Sequence, residues 1–337
     1  MSDALARLRE LPRVPLAHLP TRMEAMPRLG AHLGLAGLHV KRDDTTGLGL
    51  GGNKVRKLEF DLAAALAAEA DCVVCGGVVQ SNTARQVAAA CAKLGIECHL
   101  GIMRGRLART EPGYEETGNI LLDRLYGAVI HDIPWDEDRN RRLRLIVEEL
   151  RAAGRRPYLV PYGASDALGA MGYVLAAEEI VRDCPDVAWI VHGSGSAGTQ
   201  AGLVAGLLAL GHPARVIGID VDAQPERVEA DVCRVGREAA GLLGVGDRWS
   251  DELVEVAVGW SAGAYGQADA TTEEAIRLAA RLEALALDPV YSGKGMAGLI
   301  GLARAGRFAA GGPVVWIHTG GSPGIFAYPE TMARLSA

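Results

Sequence analysis

Three short stretches of this 337-residue chain set reactive side chains beside flexible backbone. In GLGLGGNKVRKLEF, Gly51 and Gly52 precede Asn53, read as a helix N-cap, and Lys54, Arg56 and Lys57 crowd the first helical turn. Cations there oppose the positive end of the helix macrodipole, so the Lys54 amine is expected to shed its proton more readily than a solvated lysine. An amine tuned this way attacks carbonyl carbons at neutral pH; position alone leaves a solvated surface lysine as the plain alternative. In GGVVQSNTARQVAAACAKLG a strand closes on two glycines and a helix opens at Ser81 or Asn82. The free N–H groups of Ser81, Asn82 and Thr83 would seat a carboxylate, a role compatible with simple helix capping. In WIVHGSGSAGTQAG, Gly193, Gly195 and Gly198 spell G-x-G-x-x-G after an apolar run, and Asp220 lies at the distance of a ribose ligand. That is the pattern of a dinucleotide site in an NAD-dependent oxidoreductase. Ser194, Ser196 and Thr199, however, add hydroxyl donors suited to a single phosphate monoester. The residues alone leave both readings open.

The elements that must position these groups alternate along the chain. LHVKRDD, DCVVCGG, ECHLGIM, AVIHDI, PYLVPYG, AWIVHGS, RVIGIDVDA and PVVWIHTGG read as strands, with helical patterns between most of them. Short continuous apolar strands alternating with helices argue for an α/β protein of mostly parallel sheets covered on both faces. The polar stretch Arg104 to Asn119 is the longest loop-like segment inside the fold, and functional lid and plain surface connection are equally open to it. Apolar residues are 49%, charged residues 23% and aromatic residues 5%, with a net charge of -6, which argues against a nucleic-acid partner. MSDALARLRELPRVPLAHLP carries charges throughout, unlike a secretory leader, and glycines and histidines interrupt the uncharged run from Val187 to Ala214. No membrane partner and a cytoplasmic location are therefore expected. Cys72 and Cys75 lie three apart in a strand and point to opposite faces, so reduced core thiols are expected rather than a metal site.

KRDDTTGLGLGGNKVRKLE, QSNTARQVAAACAKLG, TGNILLDRLYGA, ASDALGAMGYV, GSGSAGTQAGL, LDPVYSGKGMAGL and HTGGSPGIFAY occur in this order. Together they resemble the 1-aminocyclopropane-1-carboxylate (ACC) deaminase/D-cysteine desulfhydrase family, from about residue 13 to 330. The resemblance implies pyridoxal 5'-phosphate as cofactor and a fold-type II, tryptophan-synthase-β-like architecture of two open twisted sheets. It also implies a larger domain from residues 1–51 and 164–337, a smaller inserted domain from 52–163, and a homodimer. Carried over by position, Lys54 matches the lysine that bonds the cofactor, Asn82 the ligand of its ring oxygen, and Gly195, Ser196, Ala197, Gly198 and Thr199 its phosphate cradle. Ser81 faces the substrate, with Asn82 and Thr83 beside its carboxylate, and Tyr265 and Tyr291 match two active-site tyrosines.

Ser292 and Thr319 stand where ACC deaminases carry Glu and Leu, which favours the desulfhydrase branch. There Thr319 would offer the pyridine nitrogen a neutral hydrogen bond. The implied reaction is β-elimination from a small amino acid, foremost D-cysteine to pyruvate, sulfide and ammonia. L-cysteate losing sulfite is the alternative, with Arg104, Arg106 and Arg109 as groups that could meet a sulfonate; ACC deamination and a non-catalytic cofactor carrier rank lower. Thr83 and Ala84 after QSN depart from the desulfhydrase pattern, beside the expected substrate carboxylate.

Overall fold

The seven residues of DCVVCGGV from Cys72 to Val78 are buried along their whole length, which is what a central strand covered on both faces requires. The computed structural model describes residues 3–107, 109–136 and 138–336. Its strands are β1 (Met23–Ala25), β2 (Leu38–Lys41), β3 (Cys72–Val78), β4 (Glu97–Arg104) and β5 (Val129–Pro134), then β6 (Pro157–Leu159), β7 (Trp189–Ser194), β8 (Arg215–Asp220), β9 (Glu255–Ala257) and β10 (Val314–Ile317). They form a six-stranded sheet, β1-β2-β10-β7-β8-β9, and a four-stranded sheet, β5-β4-β3-β6. Every pairing is parallel except β1 with β2. The expected strands are present, and β1 and β9 are additions. Each of these is three residues long with no apolar run, so nothing in the sequence marked them.

Helices follow the strands and cover both sheets. Lys54–Ala67 packs against Ala167–Asp183, and Ala167–Asp183 against Gly198–Leu210, so the lysine-bearing helix is wedged onto the larger sheet's helical layer. Its inner face carries Arg56, fully buried, whose guanidinium spans Asp43 and Glu179 at 2.8 to 3.0 Å. Thr21 and Tyr173 donate to the same Asp43 carboxylate, and Lys41 pairs with Glu179 at 2.8 Å. Burial alone would raise the Asp43 carboxyl, but the Arg56 charge beside it holds it below the usual carboxylate range. Cys72 and Cys75 lie buried in β3 as free thiols. Among the described residues no helix is long and apolar enough to cross a membrane.

Candidate active site

Ligands in open parallel sheets sit beyond the carboxyl ends of the strands, and here the segments leaving β3, β7, β8 and β10 wall one cleft. Lys54 reaches it from the first turn of its helix, half-buried, with Nζ donating to Asn53 Oδ1 at 2.9 Å. Burial, and then the Arg85 charge, push the Lys54 amine down to about 8. The lowered pKa was expected, but from the helix dipole; desolvation is the larger cause. Asn53 is helical and makes no capping bond; its Nδ2 donates instead to Thr199 Oγ1 at 3.0 Å, joining the lysine turn to the glycine loop.

After β3 the chain turns at Gln80 into the helix Asn82–Leu94, capped by Ser81, whose Oγ accepts from Ala84 N at 3.2 Å. Gly77 makes room for it, since a Cβ there would lie 2.2 Å from Ser81 Oγ. Ser81, Asn82 and Thr83 all face the cleft. Asn82 Oδ1 accepts from Arg85 Nη2 at 3.2 Å and from Asn119 Nδ2 at 3.1 Å, while Arg85 Nε donates to Asn119 Oδ1 at 2.6 Å. Both donors hold the amide oxygen, which leaves the Nδ2 side of Asn82 for the cleft. Arg85 is buried and also binds the carbonyls of Gly49 and Gly51.

Gly195, Ser196, Ala197 and Thr199 line the opposite wall, with Ala197 held at φ 69° where L-residues are strained. Gly198 does not line it; a Cβ there would lie 2.8 Å from Lys57 Nζ, a second buried lysine that donates to Gly163 O and Ser165 Oγ at 3.3 Å each. Gly163 adopts φ +73°, and a Cβ on it would fall 2.3 Å from Ser196 Cβ, so glycine is required for this loop to close. Tyr265 and Tyr291 share a hydrogen bond between their hydroxyls, and burial raises both phenols well above the ordinary value. Thr319 lies on the wall; Ser292 does not, because its Oγ donates to Asp288 Oδ1 at 2.6 Å.

Among the wall residues not singled out as site residues from the sequence are His192, Tyr162, Arg139 and Asp222. Among the described residues His192 Nε2 is buried with no hydrogen-bond partner, and burial brings the imidazole down to about 4, so it stays neutral. Arg139 sits in the charge run DEDRNRRLR, which reads as a solvated helix start; Asp222 is two residues beyond Asp220, the proposed ribose ligand. Asp220 instead accepts from Asp222 N at 2.9 Å and stays off the wall. Of the three loop arginines, Arg106 reaches Asp222, Arg104 pairs with Asp132 and Glu115, and Arg109 lines a separate surface hollow. Ala108, within that loop, lies outside the described residues.

Residues 14–320 match the profile of the family described as pyridoxal-phosphate dependent enzyme. A D-cysteine desulfhydrase of Salmonella typhi is 40% identical over 332 residues, covering 96% of this chain and 98% of that protein. The crystal structure of an ACC deaminase homologue superposes with a TM-score of 0.89 at 36% identity, over 99% of both chains. Threonine deaminase isoform 2 of Solanum lycopersicum shares the fold at 18% identity, with a TM-score of 0.69 over 99% of this chain and 87% of that one.

Proposed function

The chain belongs to the pyridoxal-phosphate dependent enzymes of fold-type II, and from that premise we propose that it catalyses β-elimination from a small amino acid bearing sulfur on Cβ. The cofactor fits the cleft. An amine of lowered pKa, an amide with its N–H side free, a hydroxyl-rich glycine loop and an unpartnered neutral imidazole face one another there. Lys54 would hold the cofactor covalently, Asn82 its ring oxygen, Thr319 its ring nitrogen, and residues 195–199 its phosphate. This replaces the dinucleotide reading of the glycine loop. Bound there, the pyridine ring supplies an electron sink for the bonds broken at Cα and Cβ.

The remaining steps belong to the chain. Ser81, Asn82 and Thr83 would seat the substrate carboxylate at the helix N-terminus. The Lys54 amine would take the Cα proton, aided by Ser81 or Tyr291, because near pH 8 it accepts and returns protons readily. The Tyr265–Tyr291 pair, kept neutral by burial, can donate a proton to departing sulfur. Overall, cysteine and water give pyruvate, ammonia and sulfide. We take 52–163 as the inserted unit, a division supported by β3 to β6 forming their own sheet.

The observation that carries this reading is Lys54 and the Ser81–Thr83 helix start facing one cleft, alongside the 40% identity to a D-cysteine desulfhydrase. Purified holoenzyme should release sulfide and pyruvate in equal amounts from D-cysteine. Neither product from either cysteine enantiomer would remove cysteine from the substrate list.

A further inference from the structure

Lys294 is fully buried at the third position of the helix Ser292–Arg304, the end where the macrodipole opposes a cation. No step of the proposed reaction uses it. Its Nζ donates to three backbone carbonyls: Ser261 O at 2.6 Å, Ala264 O at 2.8 Å and Val221 O at 3.4 Å. An ammonium has three N–H bonds, and here each faces a carbonyl from outside the helix. Burial lowers this amine to about 8, while Asp222, Asp220, Asp269 and Asp288 pull it back toward the charged form. A buried cation bonded to neutral dipoles is a poor source of stability, which directs attention to what its bonds hold in place.

They hold a strained turn. Ala262 and Gly263 adopt φ 55° and 71°, successive left-handed residues, and among the described residues no backbone hydrogen bond closes the turn around them. The ammonium bonds the carbonyl on each side of that pair, and the next residue is Tyr265. The other end of the tie is firm. Asp288 accepts from Val290 N, Tyr291 N and Ser292 N at 2.9 Å each. A Cβ on Gly293 would fall 2.7 Å from Asp288 O, and one on Gly295 would fall 2.9 Å from Gly193 N, so the helix start is docked closely on both sides of Lys294. Tyr291 is the N-cap of this helix. One side chain thus joins the helix start that carries Tyr291 to the turn that carries Tyr265, and the two hydroxyls share a hydrogen bond. Both tyrosines line the cleft with Lys54, and Lys294 stands behind them, off the wall.

We propose that Lys294 is a positioning residue for the reaction: its ammonium clamps the 261–264 turn and the exit of β8 to the start of the helix Ser292–Arg304, and so sets the Tyr265 hydroxyl against that of Tyr291. This deepens the β-elimination reading, and its consequence for turnover rests on that reading. A phenol passes a proton to departing sulfur only from within hydrogen-bond reach, and a misplacement of about 1 Å can cost about a hundredfold in rate. Charge-assisted bonds to carbonyls are strong enough to keep a left-handed pair from relaxing. Methionine at position 294 would fill much of the same volume without the N–H groups. The carbonyls of Ser261 and Ala264 would then lose their donor, and the turn would be free to carry Tyr265 away from Tyr291.

Holoenzymes carrying Lys294→Met, Tyr265→Phe and both changes together test this. Chymotryptic cleavage after residue 265, followed by peptide mass spectrometry, reads the turn independently of turnover. Lys294→Met should speed that cut by about tenfold while cofactor absorbance stays as in the wild type. The kcat for pyruvate from D-cysteine should fall about tenfold in Lys294→Met and about a hundredfold in Tyr265→Phe, and the double variant should be no slower than Tyr265→Phe. Propylammonium, which supplies the atoms that Lys294→Ala removes, should raise kcat in that variant, and propanol should not. Lys294→Arg keeps the charge but spreads its donors over a plane, and serves in the same comparisons if Lys294→Met does not fold. An unchanged rate of cleavage after residue 265 overturns the clamp. So do losses that multiply in the double variant, which would place the effect of Lys294 away from Tyr265. Pyruvate from no amino acid sinks the lyase reading, and the cleavage rate still decides the clamp.

Discussion

Arg85 governs two of the groups on which the chemistry turns. It fixes the oxygen side of Asn82 directly and through Asn119, and its charge is the second cause of the lowered Lys54 pKa. In cofactor-free protein the neutral amine dominates above about 8, so acylation of Lys54, read by peptide mass spectrometry against pH, should be half-maximal near that value rather than near 10.5. Arg85→Met removes a neighbouring cation and should move the midpoint upward; an unmoved midpoint would mean that burial alone sets it. Lys54 was legible as a candidate because glycines precede it and its position opposes the helix dipole, but only the family resemblance raised it above a solvated surface lysine. Arg85 was not, since its partners at Gly49, Gly51 and Asn119 come together only in the fold.

The strand-to-helix junctions are where local chemistry and folding coincide. Ser81 caps its helix and faces the cleft, so two substitutions separate its roles. Ser81→Ala should cost about 1 kcal/mol in denaturant unfolding, and Ser81→Gly only a few tenths, because glycine is a fair N-cap. Both should lose elimination activity by about a hundredfold if the hydroxyl acts in proton transfer. Full activity in the glycine variant would reduce Ser81 to a cap. Gly77→Ala would push a methyl against Ser81 Oγ and should lower both activity and melting temperature, checked by steady-state kinetics and thermal unfolding. These junctions were legible because glycines, cap residues and apolar runs are local signals. Arg139 escaped because its pairing with Asp222 spans 83 residues, and a local charge run gives no hint of that partner.

Across the whole molecule, Arg56 ties the lysine-bearing helix to the larger sheet through Asp43 and Glu179. Removing one partner strands the others in a buried site, so Asp43→Asn should destabilise the protein by about 3–5 kcal/mol. The Asp43 carboxyl is depressed in the folded state, so its stabilisation is present above the ordinary carboxylate range and is lost as pH falls through the folded value. Acid unfolding of the wild type should therefore be steeper than that of Asp43→Asn below about pH 4, and parallel curves would show that the network does not titrate with folding. The alternating pattern announced the α/β class, and the motif order announced the family. Which polar side chains fill the interior was hidden, because Lys41, Arg56 and Lys57 look like surface cations until their partners are in place. Borohydride reduction of the holoenzyme followed by peptide mapping tests the central assignment most directly. The result expected is a pyridoxyl group on Lys54 alone; the group on Lys57, or on no lysine, contradicts it.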